Sequence, residues 1–212
     1  MIECKGLTIE QGDFKLSEVD FKIEEGEYAV LMGQTGSGKT TILEAICGLR
    51  PIKSGSILLD DREISKLKPA EREIGYVPQD GALFSTMNVA ANLGFGLRIR
   101  KWSKKKQTNR IDELADLLGI SHLINRKTEG LSGGEQQRVA LGRALSFYPR
   151  IICLDEPLSA LDEKTKEEMY QLLLKLKMEL NITALHISHS KSEAVKLADK
   201  VLEIENGVLN SR

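Results

Sequence analysis

The segment GQTGSGKTT, residues 33–41, constrains the fold more than any other part of this sequence. It matches the pattern G-x-x-x-x-G-K-[ST], and it lies between the apolar run YAVLM, residues 28–32, and the helical pattern KTTILEAICGL, which starts at Lys39. Glycines have no Cβ atom, so successive backbone N–H groups can curve around a phosphate, and the positive N-terminus of the next helix faces the same anion. A buried strand, a phosphate-binding loop and a helix are therefore predicted in this order.

This loop predicts a nucleoside triphosphate as the ligand. The Lys39 ammonium can reach the outer phosphates, and the Thr40 hydroxyl can ligate Mg²⁺. The alternative, a glycine-rich turn with an unrelated lysine, is disfavoured by the strand and helix patterns on either side. The predicted nucleotide-binding residues are Gly33, Gln34, Thr35, Gly36, Ser37, Gly38, Lys39, Thr40 and Thr41.

The distribution of apolar residues predicts an α/β fold. Two more buried strands are indicated by IICLD, residues 151–155, and ITALHIS, residues 182–188, and helical spacing is found over residues 163–180. Residues 15–28 alternate as antiparallel strands do, and residues 84–146 are mainly helical in pattern. We therefore expect residues 1–212 to form a single P-loop NTPase domain, with a mainly parallel sheet, an antiparallel β subdomain and a helical subdomain.

Three side chains after the buried strands are candidates for catalysis. Asp155 ends a strand, where its carboxylate can hold Mg²⁺, and Glu156 follows as the candidate general base. His189 follows the ITALHIS strand and can contact the γ-phosphate or the attacking water. Two adjacent acids could instead be a solvated turn, and a lone histidine is more often structural. Their positions at the carboxyl ends of predicted parallel strands favour a ligand site.

A second anion-binding helix start is predicted in LSGGEQQRVALGRAL, residues 131–145, with Ser132 as its cap. With GQTGSGKTT, the motifs YVPQD, IICLDEP, SALD and HISHS, this segment resembles the signature of the ATP-binding cassette family over nearly the whole chain. The resemblance implies that two copies pair head to tail, so that Ser132, Gly133 and Gly134 of one copy close over ATP on the other. It further implies that Gln79 links Mg²⁺ and the attacking water to the helical subdomain. Asp162 would lie at the contact between the copies.

The segment around residues 69–106 is similar to the importer branch of that family, especially cassettes that serve molybdate, tungstate or sulfate. Such cassettes act on separate membrane permease subunits, and indirectly with an extracytoplasmic solute-binding protein. The implied location is the cytoplasm, at the inner face of the cell membrane. A permease helix would dock near Leu83, Phe84 and Met87, although Phe84 and Met87 could equally be core residues.

Charge and cysteine content exclude several other functions. The formal net charge is −1, so no overall field attracts nucleic acid, and none is expected as a partner. A basic stretch is interpreted as a solvated surface, because Trp102 alone offers no platform for stacked bases. The three cysteines lie among apolar residues, as reduced thiols in a core do. The basic residues are Arg98, Arg100, Lys101, Lys104, Lys105 and Lys106.

Two departures from the family pattern bear on function. Many importer cassettes continue into a carboxy-terminal regulatory barrel, whereas this sequence stops at Arg212. The family usually has an aromatic residue that stacks on adenine where this chain has Gln11, which predicts weak discrimination between ATP and GTP. Phe14, after the turn that contains Asp13, is the alternative contact to the base.

Two other functions fit the same motifs. One is a cassette ATPase that imports nothing and drives a membrane machine for lipoprotein release or cell division. The other is a soluble cassette in translation or DNA repair, which is disfavoured by the absence of a strongly basic face.

Overall fold

The computed structural model describes residues 1–12, 14–205 and 208–211, and its chain divides into two compact units. The first unit comprises Met1–Tyr76, Arg150–Glu156 and Leu173–Arg212, and the second comprises Val77–Pro149 and Pro157–Leu172. The strands are β1 Ile2–Gln11, β2 Phe14–Ile23, β3 Tyr28–Gly33, β4 Ser54–Leu59, β5 Arg62–Glu63, β6 Ile74–Val77, β7 Ile151–Asp155, β8 Thr183–Ile187, β9 Lys200–Glu205 and β10 Val208–Ser211. The α-helices are α1 Lys39–Cys47, α2 Val89–Leu93, α3 Phe95–Ile99, α4 Lys104–Leu117, α5 Gly133–Leu145, α6 Glu163–Leu180 and α7 Lys191–Leu197.

The first unit contains a six-stranded sheet in the order β10-β9-β3-β8-β7-β6. Strand β3 pairs in parallel with β8 and β9, and β7 pairs in parallel with β8. Every residue of β7 and β8 is buried, which explains why both strands read as continuous apolar runs. The parallel pairing places the carboxyl ends of β3, β7 and β8 at one edge of the sheet, where ligands bind in open α/β folds.

A second sheet in the same unit has the order β2-β1-β4-β5 and pairs antiparallel throughout. Strand β2 alternates buried and exposed residues over much of its length, as predicted for a sheet with one wet face. The buried side chains of both sheets and of α1 form one apolar core. All three cysteines are buried, and the contact with Cys47 together with burial raises the pKa of Cys153 well above the usual thiol range.

The second unit is mainly helical. Within it, α5 packs closely against its neighbours, because a Cβ atom on Gly142 would lie 2.5 Å from Leu93 Cδ2 and 2.6 Å from Leu118 Cδ1. The buried Arg110 of α4 donates through Nη2 to Leu145 O at 2.9 Å and through Nε to Ser146 O at 3.1 Å. These bonds satisfy carbonyls at the end of α5 that lack partners within that helix.

The strands and helices predicted around the phosphate-binding loop are observed. Helix α6 has the bounds that were predicted for it, residues 163–180. Strands β4, β5 and β6 were not predicted, and β5, with two residues, is too short to show a period. Among the described residues, no helix combines the length and the apolar character that crossing a membrane requires.

Candidate functional site

The phosphate-binding loop connects β3 to α1 in the first unit. Gly38 precedes α1 with a φ of 97°, in the left-handed region that glycine adopts without strain. A Cβ atom at this position would lie 2.6 Å from Leu16 Cδ1 and 2.7 Å from Phe14 Cζ. Gly38 is therefore required both by its backbone conformation and by the close approach of β2.

Lys39 is folded back onto this loop. Its ammonium donates to Gly33 O and to Gln34 O, both at 2.9 Å. Burial lowers the pKa of Lys39, and the carboxylates of Glu156 and Asp155 oppose that shift. Ser37 Oγ is buried without a hydrogen-bond partner among the described residues. A buried cation, an unsatisfied hydroxyl and the start of a helix together fit the phosphates of a nucleotide.

Thr40 and Asp155 are brought together as a pair of oxygen ligands would be. Thr40 Oγ1 donates to Asp155 Oδ1 at 3.1 Å. Burial raises the pKa of Asp155, the hydrogen bond from Thr40 lowers it, and the neighbouring Glu156 raises it. No group of three or more histidine, cysteine or acidic residues that could hold a metal occurs in the described part of the chain. A hydroxyl and a carboxylate fit Mg²⁺, which commonly takes its other ligands from phosphates and water.

Glu156 and His189 contact each other beside this pair. His189 Nε2 lies 2.6 Å from Glu156 Oε1. Glu156 has a φ of 46°, and its N–H donates to Ile187 O at 3.1 Å. A non-glycine residue in this region carries strain of about 1–3 kcal/mol, and such residues concentrate at functional sites. The ends of β7 and β8 thus hold the acid and the histidine in the arrangement of a base with an orienting partner.

The two candidate contacts to the nucleotide base have different surroundings. Phe14 lines a cavity of about 340 Å³ together with loop residues that include Thr35 and Gly36. Gln11 lies opposite Phe14 in the register of β1 and β2, is exposed, and accepts a hydrogen bond from Arg50. Asp13, between them in the sequence, lies outside the described residues.

In the second unit, the predicted signature residues form the start of α5. Ser132 is the N-cap: its Oγ accepts from Glu135 N at 3.3 Å, and its own N–H donates to Glu135 Oε2 at 2.7 Å. A Cβ atom on Gly134 would lie 2.5 Å from Thr165 Cγ2, so this glycine permits close packing of α5 against α6.

Asp162 is held next to the contact between Gly134 and Thr165. Thr165 Oγ1 donates to Asp162 Oδ2 at 2.6 Å, and Thr165 N donates to Asp162 Oδ1 at 3.1 Å. These bonds lower the pKa of the Asp162 carboxyl. The structure therefore brings Asp162 and Gly134 together through Thr165, a residue that the sequence analysis missed. An aspartate three residues before a threonine at a helix start is the capping pattern that could have revealed it.

Gln79 also belongs to the second unit, in the loop that follows β6. Arg143 of α5 supports this loop by donating to Ala82 O at 2.7 Å and to Gly81 O at 3.1 Å. The proposed link from Gln79 to Mg²⁺ stays a prediction, as do the catalytic and binding roles assigned to the other site residues.

The candidate permease contact is an aromatic and basic surface of the second unit. Phe84 is 36% exposed, and its ring centroid lies 4.4 Å from that of Phe95 and 5.2 Å from the Arg143 guanidinium carbon. Met87 is half-buried and lies 3.5 Å from Arg98 Nη2. Phe84 is thus not a buried core residue, which favours the docking interpretation over the core alternative.

Comparison with known proteins gives a consistent set of relatives. The family described as ABC transporter matches residues 16–159. The molybdate/tungstate import ATP-binding protein WtpC is 42% identical over 209 residues in Thermococcus kodakarensis and 44% identical over 209 residues in Methanocaldococcus jannaschii, covering 99% of this chain in both cases. The maltose/maltodextrin import ATP-binding protein MalK of Vibrio cholerae is 37% identical over 210 residues, again 99% of this chain.

This chain spans only part of those relatives: 63% of the Thermococcus protein, 69% of the Methanocaldococcus protein and 56% of the Vibrio protein. Among solved structures, a dimeric post-hydrolysis state of an ATP-binding cassette with bound ADP and phosphate superposes with a TM-score of 0.87. That cassette is 30% identical in sequence, and the match covers 100% of this chain and 98% of that one.

Proposed function

The chain belongs to the ABC transporter family, and from this premise we propose that it binds and hydrolyses ATP as the energy-supplying subunit of an importer. The observation that carries the hydrolytic function is the 2.6 Å contact between His189 Nε2 and Glu156 Oε1, at the sheet edge that also carries the phosphate-binding loop. A carboxylate oriented by a histidine beside a phosphate site is suited to activating water.

Each residue of the site has a distinct part in this reaction. The N–H groups of the loop and the N-terminus of α1 bind the phosphates, and Lys39 adds positive charge. Thr40 and Asp155 would hold Mg²⁺, which when bound neutralises charge that develops on the phosphoryl oxygens. Glu156 accepts a proton from the attacking water, and His189 keeps the Glu156 carboxylate oriented.

A second copy of the chain is the proposed partner at the signature residues. Ser132 is exposed at the start of α5, a position at which a helix can receive an anion. Asp162 and Gly134 both contact Thr165, so the predicted interface residues of the second unit lie close together. N–H donors supplied by the other copy would stabilise developing charge only in a closed dimer, which couples hydrolysis to association.

Membrane permease subunits are the proposed partners at Phe84. An exposed aromatic side chain flanked by arginines is typical of an anchor position in an interface. Two of the relatives described above are import proteins for molybdate and tungstate, and we extend that solute class, an oxyanion, to this chain. A solute-binding protein would then deliver the anion outside the membrane, with this subunit at the cytoplasmic face.

The test is the substitution Glu156→Gln, which retains the shape of the side chain and removes its basicity. ATP hydrolysis should fall by at least about 100-fold, the usual scale for losing a general base. ATP binding should persist, and sedimentation of this variant should show a monomer without nucleotide and a dimer with ATP. Glu179→Gln, an exposed glutamate of α6, is the matched control and should retain activity.

Hydrolysis at the wild-type rate by Glu156→Gln would remove Glu156 from the role of base. A dimer that forms equally well without nucleotide would contradict the proposed closure over ATP, because much of that interface is glycine backbone that needs phosphates between the copies.

A further inference from the structure

A buried chain of three polar side chains lies in the first unit, apart from the phosphate-binding loop. Tyr28 of β3 contacts His186 of β8, with 2.9 Å between Tyr28 Oη and His186 Nδ1. His186 Nε2 lies 3.2 Å from Oε2 of Glu193, in the first turn of α7. His186 is fully buried and Glu193 is nearly so. No step of the proposed reaction uses these groups.

Two contacts of the His186 ring connect the three side chains. Burial, reinforced by the Glu193 carboxylate, raises the pKa of Tyr28, so its hydroxyl keeps its proton and is available for the hydrogen bond with His186 Nδ1. The other ring nitrogen, Nε2, faces the Glu193 carboxylate. This second contact lacks the alignment of a hydrogen bond.

Such a set of polar side chains fixes the positions of the elements that carry it more than it raises the free energy of unfolding. Burying a carboxylate is unfavourable, and an apolar set of similar volume is often at least as stable. The Tyr28–His186 hydrogen bond and the approach of the Glu193 carboxylate to His186 Nε2 both depend on the position of the imidazole ring, however, whereas apolar side chains tolerate sliding. The Tyr28–His186–Glu193 chain therefore holds α7 in one position against β3 and β8.

His189 lies in the short segment between His186 and Glu193. On one side, Ser188 N donates to Leu31 O of β3 at 3.2 Å. On the other, Ser190 caps α7, and its Oγ accepts from Glu193 N at 3.4 Å. A shift of α7 would therefore be transmitted to His189 through very few bonds.

We propose that Tyr28, His186 and Glu193 are positioning residues for His189, which they hold in contact with Glu156 although none of the three touches the nucleotide site. The expected effect on kcat rests on the proposed ATPase function, whereas the expected effect on the position of His189 does not. A displacement well under 1 Å is enough to change a rate, since misplacement by about 1 Å can cost about 100-fold.

The experiment compares Tyr28→Phe and Glu193→Gln with the wild type. Both substitutions preserve shape, and each removes one hydrogen-bonding or charged group of the chain. In ¹⁵N-histidine NMR, the ring signals of His189 should move in both variants, while those of His122, in the second unit, should not. With three histidines in the sequence, the signals can be assigned by substitution. The kcat for ATP should fall by about three- to tenfold, with KM for ATP changed less than about twofold.

Ile64→Val is the control for reduced stability alone, because it makes a small change at a buried side chain that does not belong to the Tyr28–His186–Glu193 set. It should leave the His189 signals and kcat per folded molecule unchanged. Unmoved His189 signals and an unchanged kcat in folded Tyr28→Phe and Glu193→Gln would overturn the inference. If the His189 signals move but wild-type protein hydrolyses no ATP, the proposed function fails and the positioning role stands.

Discussion

Removal of the Arg72 guanidinium group should destabilise the first unit strongly. Arg72 is 4% exposed, and its guanidinium group donates to four backbone carbonyls. Nη1 donates to Ala45 O at 2.7 Å and to Ile46 O at 2.9 Å. Nε donates to Leu67 O at 2.9 Å, and Nη2 donates to Ser65 O at 2.7 Å. The first two carbonyls belong to the last turn of α1, whose opposite end is the phosphate site. The guanidinium thus stabilises the negative end of the helix that receives the nucleotide.

The size of the effect follows from these contacts. Ala45 O keeps a second donor, Gly48 N, at 3.1 Å. Ile46 O is buried and would lose the donor that Arg72 provides, which costs about 1–3 kcal/mol, and the lost charge at the helix end adds up to about 2 kcal/mol. The acceptors at Ser65 and Leu67 are only partly buried, so water can replace much of what they lose. We therefore expect Arg72→Met to lower the free energy of unfolding by about 3 kcal/mol, a large fraction of a typical 5–15 kcal/mol.

Thermal unfolding measures this effect. A loss of 3 kcal/mol corresponds to a midpoint lower by about 6–12 °C in a protein of this size. Arg150→Met is the matched control, because Arg150 is 58% exposed and pairs with Asp60 and Glu73 at the surface, and its midpoint should change little. Arg72→Lys should fall between Arg72→Met and wild type, since one ammonium retains the charge but cannot reach all four acceptors. If the midpoints of Arg72→Met and Arg150→Met were equal, the reasoning from buried acceptors would be refuted.

Two other predictions concern binding. Phe84→Asp should abolish co-purification with the permease subunits and spare ATP binding, because a carboxylate is costly to bury in an apolar contact; assembly that survives the change would place the docking surface elsewhere. Phe14→Ala should weaken ATP and GTP binding by at least about fivefold under non-hydrolysing conditions if Phe14 covers the base, since stacking contributes about 1–3 kcal/mol. Gln11→Tyr should tighten ATP binding by up to about tenfold if Gln11 is the stacking position instead, and a titration of both variants with both nucleotides decides between them.

Much of the first unit could be predicted because its signals are local. The run YAVLM is bounded by glycines and buried on both faces, and the loop after it has the glycines that a phosphate cradle needs. Strands β4 and β6 escaped prediction because neither is a long apolar run, and their burial depends on which strands lie beside them. The same limit applies to Thr165, whose contact with Gly134 depends on the packing of α6 against α5.

The sequence by itself determined the strand–loop–helix unit at residues 28–47, the cap of α5 at Ser132 and the identities of Asp155, Glu156 and His189 as candidates. These features depend on neighbouring residues, whose backbone preferences and spacing are independent of the rest of the chain. Only the tertiary structure decided that His189 contacts Glu156 and that His186, to which the motifs assign no role, joins Tyr28 to Glu193. The physical reason is strand order: β8 lies between β3 and β7, and that order results from burial of the whole sheet, which no local pattern encodes.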